Sequence, residues 1–202
     1  MAKEAIEIFN SLARKIKFLE KSRERQEGLF REGQIGKRDV EEVYAAIFLN
    51  VMASFEGFIE DLFIGLVTGD LNAKRVKVRL VIKDRNLAYE ILFKNKQYFS
   101  WLPYDNTKNI AKIYFKEGKP FTQIEKDDET HIRKCSQIRN AIAHQSKHAA
   151  ETFKREVLSG LILAPRDKQP KSFLRSQISL SPPQNKYQQL VNDLQIIARK
   201  LC

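Results

Sequence analysis

Arg139, Asn140 and His144 combine side chains that could do acid–base chemistry on a phosphate group. An arginine is always cationic and its guanidinium matches phosphate oxygens, an asparagine can donate or accept beside a sugar hydroxyl, and a histidine exchanges a proton near neutral pH. Such groups can cleave RNA without a metal. A base removes the proton of the ribose 2′-OH, that oxygen attacks the adjacent phosphorus, and a cation stabilises the added charge, which leaves a 2′,3′-cyclic phosphate.

The spacing of these three residues bears on how many copies of the chain one site needs. Residues five apart on a helix differ by about 140° around its axis, so Arg139 and His144 point in different directions, whereas Asn140 and His144, four apart, share a face. One helix alone therefore makes a poor site. A two-fold dimer that packs two such helices together would bring two copies of the motif into one cleft, so we expect a homodimer.

Other catalytic signatures are absent from the sequence. It has no phosphate-binding glycine loop and no H-E-x-x-H or G-x-S-x-G motif, so nucleotide hydrolysis and zinc proteolysis have no support. The two cysteines, Cys135 and Cys202, have neither zinc-like nor redox spacing and fit a reducing cytoplasm. We expect no metal and no cofactor.

Glu56 is a candidate supporting residue because it lies, with Glu60, in an otherwise apolar stretch. A buried carboxylate is costly unless it is paired, so Glu56 could orient Arg139 or His144; alternatively, both glutamates simply reach the surface.

His148 is a second candidate supporting residue. It lies one turn beyond His144 if the helix continues and could then contact a phosphate, unless Gln145 and Ser146 end the helix first.

Basic residues outnumber acidic ones, with a formal net charge of +11 and a pI near 9.6. This surplus attracts polyanions and favours RNA, DNA or an acidic protein as partner. The candidate RNA-binding residues are Arg133, Lys147, Arg166 and Arg175, although such side chains more often form a solvated surface.

Apolar periodicity predicts the helices that hold these residues. Steps of three and four predict an amphipathic helix over residues 4–27, with Gly28 to Gly36 ending it. Asp39 is the expected N-cap of a long core helix that reaches about Val67. Glu56, Glu60 and Asp61 interrupt its apolar run, so we expect no membrane span, and the start of the chain shows no secretory signal.

The middle of the chain, residues 70–125, has the weakest pattern. Alternation over residues 76–82 suits either a short strand or an irregular basic segment. Helices are expected over residues 86–99 and 105–115, with a loop over 117–120.

The last third of the sequence predicts the helix that carries Arg139 and Asn140, then a long loop, then a closing helix. The helix that carries the motif is expected to begin at Asp127 and Asp128. His131 lies on the apolar side of this helix and is expected to be a packed histidine. A Pro-rich basic loop follows, and a helix over residues 184–201 returns to the core. The fold class is therefore all-α, a bundle of about five or six helices in a single domain over residues 1–202, with an outer helix and loop at 1–37 and the core at 38–202.

The run Arg139-Asn140-Ala141-Ile142-Ala143-His144, together with the Phe-Glu helix over residues 53–62, resembles the HEPN superfamily, and most closely its bacterial RiboL-PSP-type members. The resemblance implies a helical bundle, frequent dimers and, where the Arg-x4-His motif is intact, metal-independent RNase activity in toxin–antitoxin or phage-defence systems, with an antitoxin or regulatory protein as partner. Arg139 and His144 would then be catalytic, with Asn140 as the polar residue beside the arginine. The alternative that the resemblance allows is a non-catalytic RNA-binding or adaptor module.

Overall fold

The computed structural model of the chain describes residues 3–73, 76–93, 99–144 and 146–202. These residues are mostly helical, as expected, but they form eight α-helices and two two-stranded sheets rather than five or six helices alone. The helices are α1 Ala5–Arg31, α2 Lys37–Thr68, α3 Arg85–Phe93, α4 Tyr104–Tyr114, α5 Lys126–Ala143, α6 Lys147–Glu156, α7 Pro170–Arg175 and α8 Lys186–Lys200, with 3₁₀ turns at Lys116–Gly118 and Pro165–Asp167. Within the described ranges, no helix is both long enough and apolar enough to cross a membrane.

The sheets are small additions to the helices. Strands β1 (Lys3–Glu4) and β2 (Leu71–Asn72) pair in parallel, and β3 (Gln177–Leu180) and β4 (Pro183–Asn185) form an antiparallel hairpin.

The start of α2 differs from the expected cap. The helix begins at Lys37, before Asp39, and the Asp39 carboxylate accepts a hydrogen bond from the Gly36 backbone N–H at 2.8 Å. Asp39 therefore lies within the first turn, where its negative charge also suits the helix dipole.

The described residues form two compact units, each with its own core. The single domain expected over residues 1–202 stays a prediction. The first unit comprises Met1–Ala13, Ser54–Thr130 and Gln195–Cys202. Its core centres on Phe63, whose ring lies 5.0–5.8 Å from the rings of Trp101, Tyr114, Phe115 and Phe121. Burying such large aromatic rings supplies much of the hydrophobic stabilisation of this unit.

The second unit comprises Arg14–Ala53 and His131–Leu194. Tyr187 of α8 packs edge-on against Tyr44 and Phe48 of α2, and Phe153 of α6 packs edge-on against Phe173 of α7. This unit contains the Arg139, Asn140 and His144 motif.

The middle of the chain contains no regular strand among its described residues over 76–82. Val78 instead makes one isolated antiparallel bridge with Phe115, so the irregular alternative is correct. Helix α3 begins one residue before the predicted start and is described to Phe93, whereas residues 94–98 of the predicted helix lie outside the described residues.

The prediction of a long basic loop before the last helix is wrong. The stretch after α6 contains a 3₁₀ turn, helix α7 and the β3–β4 hairpin. Pro165 and Pro170 stand at the first position of the 3₁₀ turn and of α7, where a proline lacks only an N–H that would have no helical partner.

Candidate active site

Helix α5 carries the motif, and its sequence explains its placement. Asp127, Asp128 and Glu129 occupy the first turn, where the helix dipole favours negative charge. Ile132, Cys135 and Ile138 recur at steps of three and are buried, as the periodicity predicts. Burial of this stripe fixes the rotation of α5 about its axis and so determines where Arg139 and Asn140 emerge.

Arg139 and Asn140 are in direct contact. The Arg139 guanidinium donates through Nη1 to Asn140 Oδ1 at 2.9 Å, and both residues are half-buried. Adjacent side chains on a helix normally diverge by about 100°, so this hydrogen bond requires the guanidinium to bend around the helix toward Asn140.

His144 is the first residue beyond α5. Its backbone N–H donates to the Asn140 carbonyl at 2.9 Å, which completes the last α-helical hydrogen bond, and the residue is exposed. An exposed imidazole at a helix end is accessible to a substrate. The Arg139 guanidinium is therefore bonded to Asn140, the residue whose backbone carbonyl accepts the His144 N–H.

His148 does not lie on a continuation of α5. Ser146 starts a new helix, α6, by accepting a hydrogen bond from the Ala149 N–H through its Oγ at 3.2 Å. The continuous-helix geometry is therefore wrong, and His148 is exposed in the first turn of α6 instead. Gln145 lies outside the described residues.

Glu56 and Glu60 of α2 both lie in the first unit and are half-buried. Glu60 accepts a hydrogen bond from the Trp101 indole N–H at 2.8 Å, which provides the partner that a partly buried carboxylate requires. Since Arg139 and His144 belong to the second unit, orientation of either residue by Glu56 stays a prediction.

The candidate RNA-binding residues differ in how far they are already engaged. Arg133 is exposed, Lys147 is almost fully exposed and forms an ion pair with Glu151 at 3.8 Å, and the Arg166 Nε lies 4.0 Å from Asp167.

Arg175 is held tightly. Its Nε and Nη2 donate to the two carboxylate oxygens of Glu27 at 2.8 and 3.1 Å, and its guanidinium carbon lies 4.2 Å from the centre of the Phe30 ring. An arginine paired and stacked in this way is a structural clamp, so its expected availability to RNA has no geometric support.

His131 packs as the apolar side of its helix predicts. Its Nε2 lies 3.1 Å from the Leu190 carbonyl oxygen and 3.5 Å from Cys135 Sγ, and its Nδ1 lies 3.6 Å from Asp193 Oδ2. Burial raises the pKa of the Cys135 thiol, which therefore stays protonated and unreactive at neutral pH. The cluster joins α5 to α8 rather than forming a second reactive centre.

Sequence reasoning missed a buried polar network around Tyr44. The Tyr44 hydroxyl donates to Glu27 at 2.8 Å and accepts hydrogen bonds from Arg23 Nη1 and Asn185 Nδ2, both at 2.9 Å. Arg23 is only 6% exposed. The sequence contained one signal for the burial of Arg23, which is its helical position: Arg23 continues the stripe formed by Leu12, Ile16 and Leu19 that faces the core.

Comparisons with protein-family models, with curated proteins and with solved structures found no match. Among the residues that the structure describes, no three His, Cys, Asp or Glu side chains are grouped so that they could hold a metal ion.

Proposed function

We propose that this protein is a metal-independent endoribonuclease of HEPN type that acts as a homodimer, with Arg139 and His144 as its catalytic residues. The observation that carries the proposal is the hydrogen bond from Arg139 to Asn140, one turn before the exposed His144. It holds the guanidinium on Asn140, the residue that shares a helix face with His144. The sequence resemblance to HEPN ribonucleases supports the same function.

Each residue has a definite role in this reaction. His144 takes the proton from the ribose 2′-OH, and the resulting oxygen attacks the neighbouring phosphorus. Arg139 stabilises the charge that builds on the phosphate oxygens, and Asn140 holds the guanidinium in position. The bond from phosphorus to the departing 5′-oxygen breaks as that oxygen takes up a proton from water, which leaves a 2′,3′-cyclic phosphate and a 5′-hydroxyl. The exposed His148 and Lys147 lie just beyond the site and would contact the RNA backbone.

Such an enzyme would damage its own cell unless it were restrained, so the proposal includes a toxin or phage-defence role with an antitoxin or regulatory protein as partner. The charge of +11 suits either RNA or an acidic inhibitor.

The decisive experiment compares wild type with His144→Ala on a broad panel of RNAs in excess EDTA. We expect wild type to cut and to leave 2′,3′-cyclic phosphate ends, identified by mass spectrometry of the products, and His144→Ala to reduce cutting by about a thousandfold or more because it removes the proposed base. Asn192→Ala is the matched control, because Asn192 is exposed on α8 of the same unit and should leave cutting unchanged.

The exposed position of His144 means that its replacement should leave the circular dichroism spectrum and melting temperature unchanged. If wild type and His144→Ala behave identically on every RNA, the catalytic proposal fails. RNA binding without cutting would then favour the non-catalytic module.

A further inference from the structure

A cavity of about 600 Å³ opens within the second unit, and Arg139, Asn140 and His144 are not among its lining residues. Its size is typical of small-molecule sites. Its lining includes Tyr44, Asn185 and Gln188. Four arginines also line the cavity, namely Arg23, Arg31, Arg166 and Arg175.

The floor of the cavity is built from buried, hydrogen-bonded polar side chains. Tyr44 is fully buried and links Arg23, Glu27 and Asn185 through its hydroxyl, while Arg175 is fixed bidentately on Glu27. Arg23 and Asn185 are only 6% and 5% exposed. These groups hold one another in place, so the floor is preorganised for a polar ligand and loses little entropy on binding.

The remaining two arginines of the cavity carry charge that the fold does not neutralise closely. The Arg31 Nε donates to the Glu27 backbone carbonyl at 3.2 Å, and no carboxylate of the described residues lies within ion-pair distance of its guanidinium. Arg166 is 77% exposed, and its Nε reaches Asp167 only at 4.0 Å. Guanidinium groups bind phosphate oxygens through paired hydrogen bonds, and these two are able to do so.

The other lining residues indicate which chemical groups a ligand would carry besides a phosphate. Glu24 and Glu41 offer acceptors, and the Asn185 and Gln188 amides each keep one N–H beyond the bonds that they make to Tyr44 and Glu20, so the lining has both partners that a hydroxyl group requires. Tyr44 lies entirely below the surface, and the other lining residues have no aromatic ring on which a base could stack. We propose that this cavity binds a small sugar phosphate or polyol phosphate, with the phosphate on Arg31 and Arg166 and the hydroxyls on the polar side chains near the floor.

The experiment is calorimetric titration of the full chain with ribose 5-phosphate, glucose 6-phosphate and glycerol 3-phosphate, with inorganic phosphate and ribose as reference probes. At least one of the three phosphorylated probes should bind at least tenfold more tightly than either reference, because it alone engages both parts of the cavity. The double variant Arg31→Gln/Arg166→Gln should weaken that binding at least tenfold. The control Arg14→Gln/Lys168→Gln removes the same charge from exposed positions outside the cavity lining and should stay within about twofold of wild type.

A readout on wild type protects the test against a variant that misfolds. The NMR signals of the Asn185 and Gln188 side-chain amides should shift on addition of the tightest probe. The proposal is overturned if no phosphorylated probe outperforms inorganic phosphate, if the two double variants lose affinity equally, or if the amide signals stay still. It is also overturned if Arg31→Gln/Arg166→Gln weakens binding of an RNA strand but of none of the small probes. Loss of RNA cutting in His144→Ala is independent of every one of these results.

Discussion

Arg139 Nη1 donates to Asn140 Oδ1 at 2.9 Å, although the two residues are neighbours on a helix and their side chains would ordinarily point apart. Asn140 shares a helix face with His144, the exposed residue that follows the end of α5. In the proposed reaction Asn140 therefore positions the guanidinium and does not itself react.

Asn140→Ala should reduce the cutting rate roughly tenfold, because the guanidinium loses the Asn140 acceptor while the proposed base remains. The KM for RNA should change much less, since other cations supply affinity. Single-turnover kinetics separates the two effects. An Asn140→Ala enzyme as fast as the Asn192→Ala control would contradict the positioning role.

Mixing two inactive variants tests the proposed dimer. If each site combines Arg139 of one protomer with His144 of the other, exchange between Arg139→Ala and His144→Ala proteins should restore roughly a quarter of wild-type activity, since half of the dimers are mixed and each has one intact site. Sedimentation velocity should show a dimer at micromolar concentration. A strict monomer, or mixtures as inactive as their components, would exclude this shared site.

Lys147→Gln and Arg175→Gln remove the same charge but should act differently. Lys147 is exposed beside the proposed site, so its loss should weaken binding to all RNAs alike and reduce the salt dependence of log K by about 0.7–0.9. Arg175 is already clamped by Glu27, so Arg175→Gln should instead lower the free energy of unfolding by about 2 kcal/mol. Titrations with one RNA at several salt concentrations, together with urea unfolding, distinguish the outcomes. If the two substitutions weakened RNA binding equally, the Arg175–Glu27 ion pair would have to break so that Arg175 could bind RNA.

Glu27 should make stability depend on pH. Burial alone would raise its pKa, but the hydrogen bonds from Arg175 and Tyr44 outweigh burial and hold the pKa below its usual value. A lowered pKa in the folded state contributes stability above the unfolded value of about 4.3, and this contribution disappears as the pH falls through the folded pKa. Glu27→Gln should therefore unfold more easily than wild type near neutral pH, by about 1–3 kcal/mol, with the gap narrowing below about pH 4.

Urea unfolding of both proteins between about pH 7 and about pH 3 measures this difference. A gap that stayed constant over the whole range would show that the carboxylate charge is irrelevant and that packing alone is lost.

Two glycines of α2 provide a matched pair for packing. A methyl group at Gly57 would meet nothing within 4 Å, so Gly57→Ala should stabilise the chain by about 0.5–1 kcal/mol through helix propensity. At Gly65 the added carbon would lie 2.4 Å from Cδ1 of the buried Leu71, so Gly65→Ala should destabilise by about 1–3 kcal/mol. Thermal melts of the two variants should shift in opposite directions, and a Gly65→Ala protein as stable as wild type would show that Leu71 moves at little cost.

The sequence alone determined the long helices, because their stability follows from local periodicity. The stripe Leu12, Ile16 and Leu19 predicted α1, although the helix continues past the predicted end at Gly28 to Arg31. The stripe Ile132, Cys135 and Ile138 predicted α5, and most side chains of the two stripes are buried. The acidic first turn of α5 placed its start within one residue.

Local signals failed where a segment depends on partners distant in sequence. Residues 76–82 alternate as a strand would, but within the described part of the chain Val78 makes a single bridge, to Phe115, and no ladder forms there. The prolines after α6 suggested an extended loop, yet Pro165 and Pro170 begin a 3₁₀ turn and a helix, because Phe173 and Leu174 of α7 are buried in the second unit.

For the candidate site, the sequence determined the residue types and the helix that carries them. Only the tertiary structure decided which of those charges stay available. Nothing near Arg175 in the sequence shows that Glu27, 148 positions away, binds it. The stripe that places Arg23 toward the core does not show that Tyr44 is its partner. The physical reason is that an ion pair or a buried hydrogen bond depends on distance in space, and chain folding sets that distance between residues whose local sequences carry no record of each other.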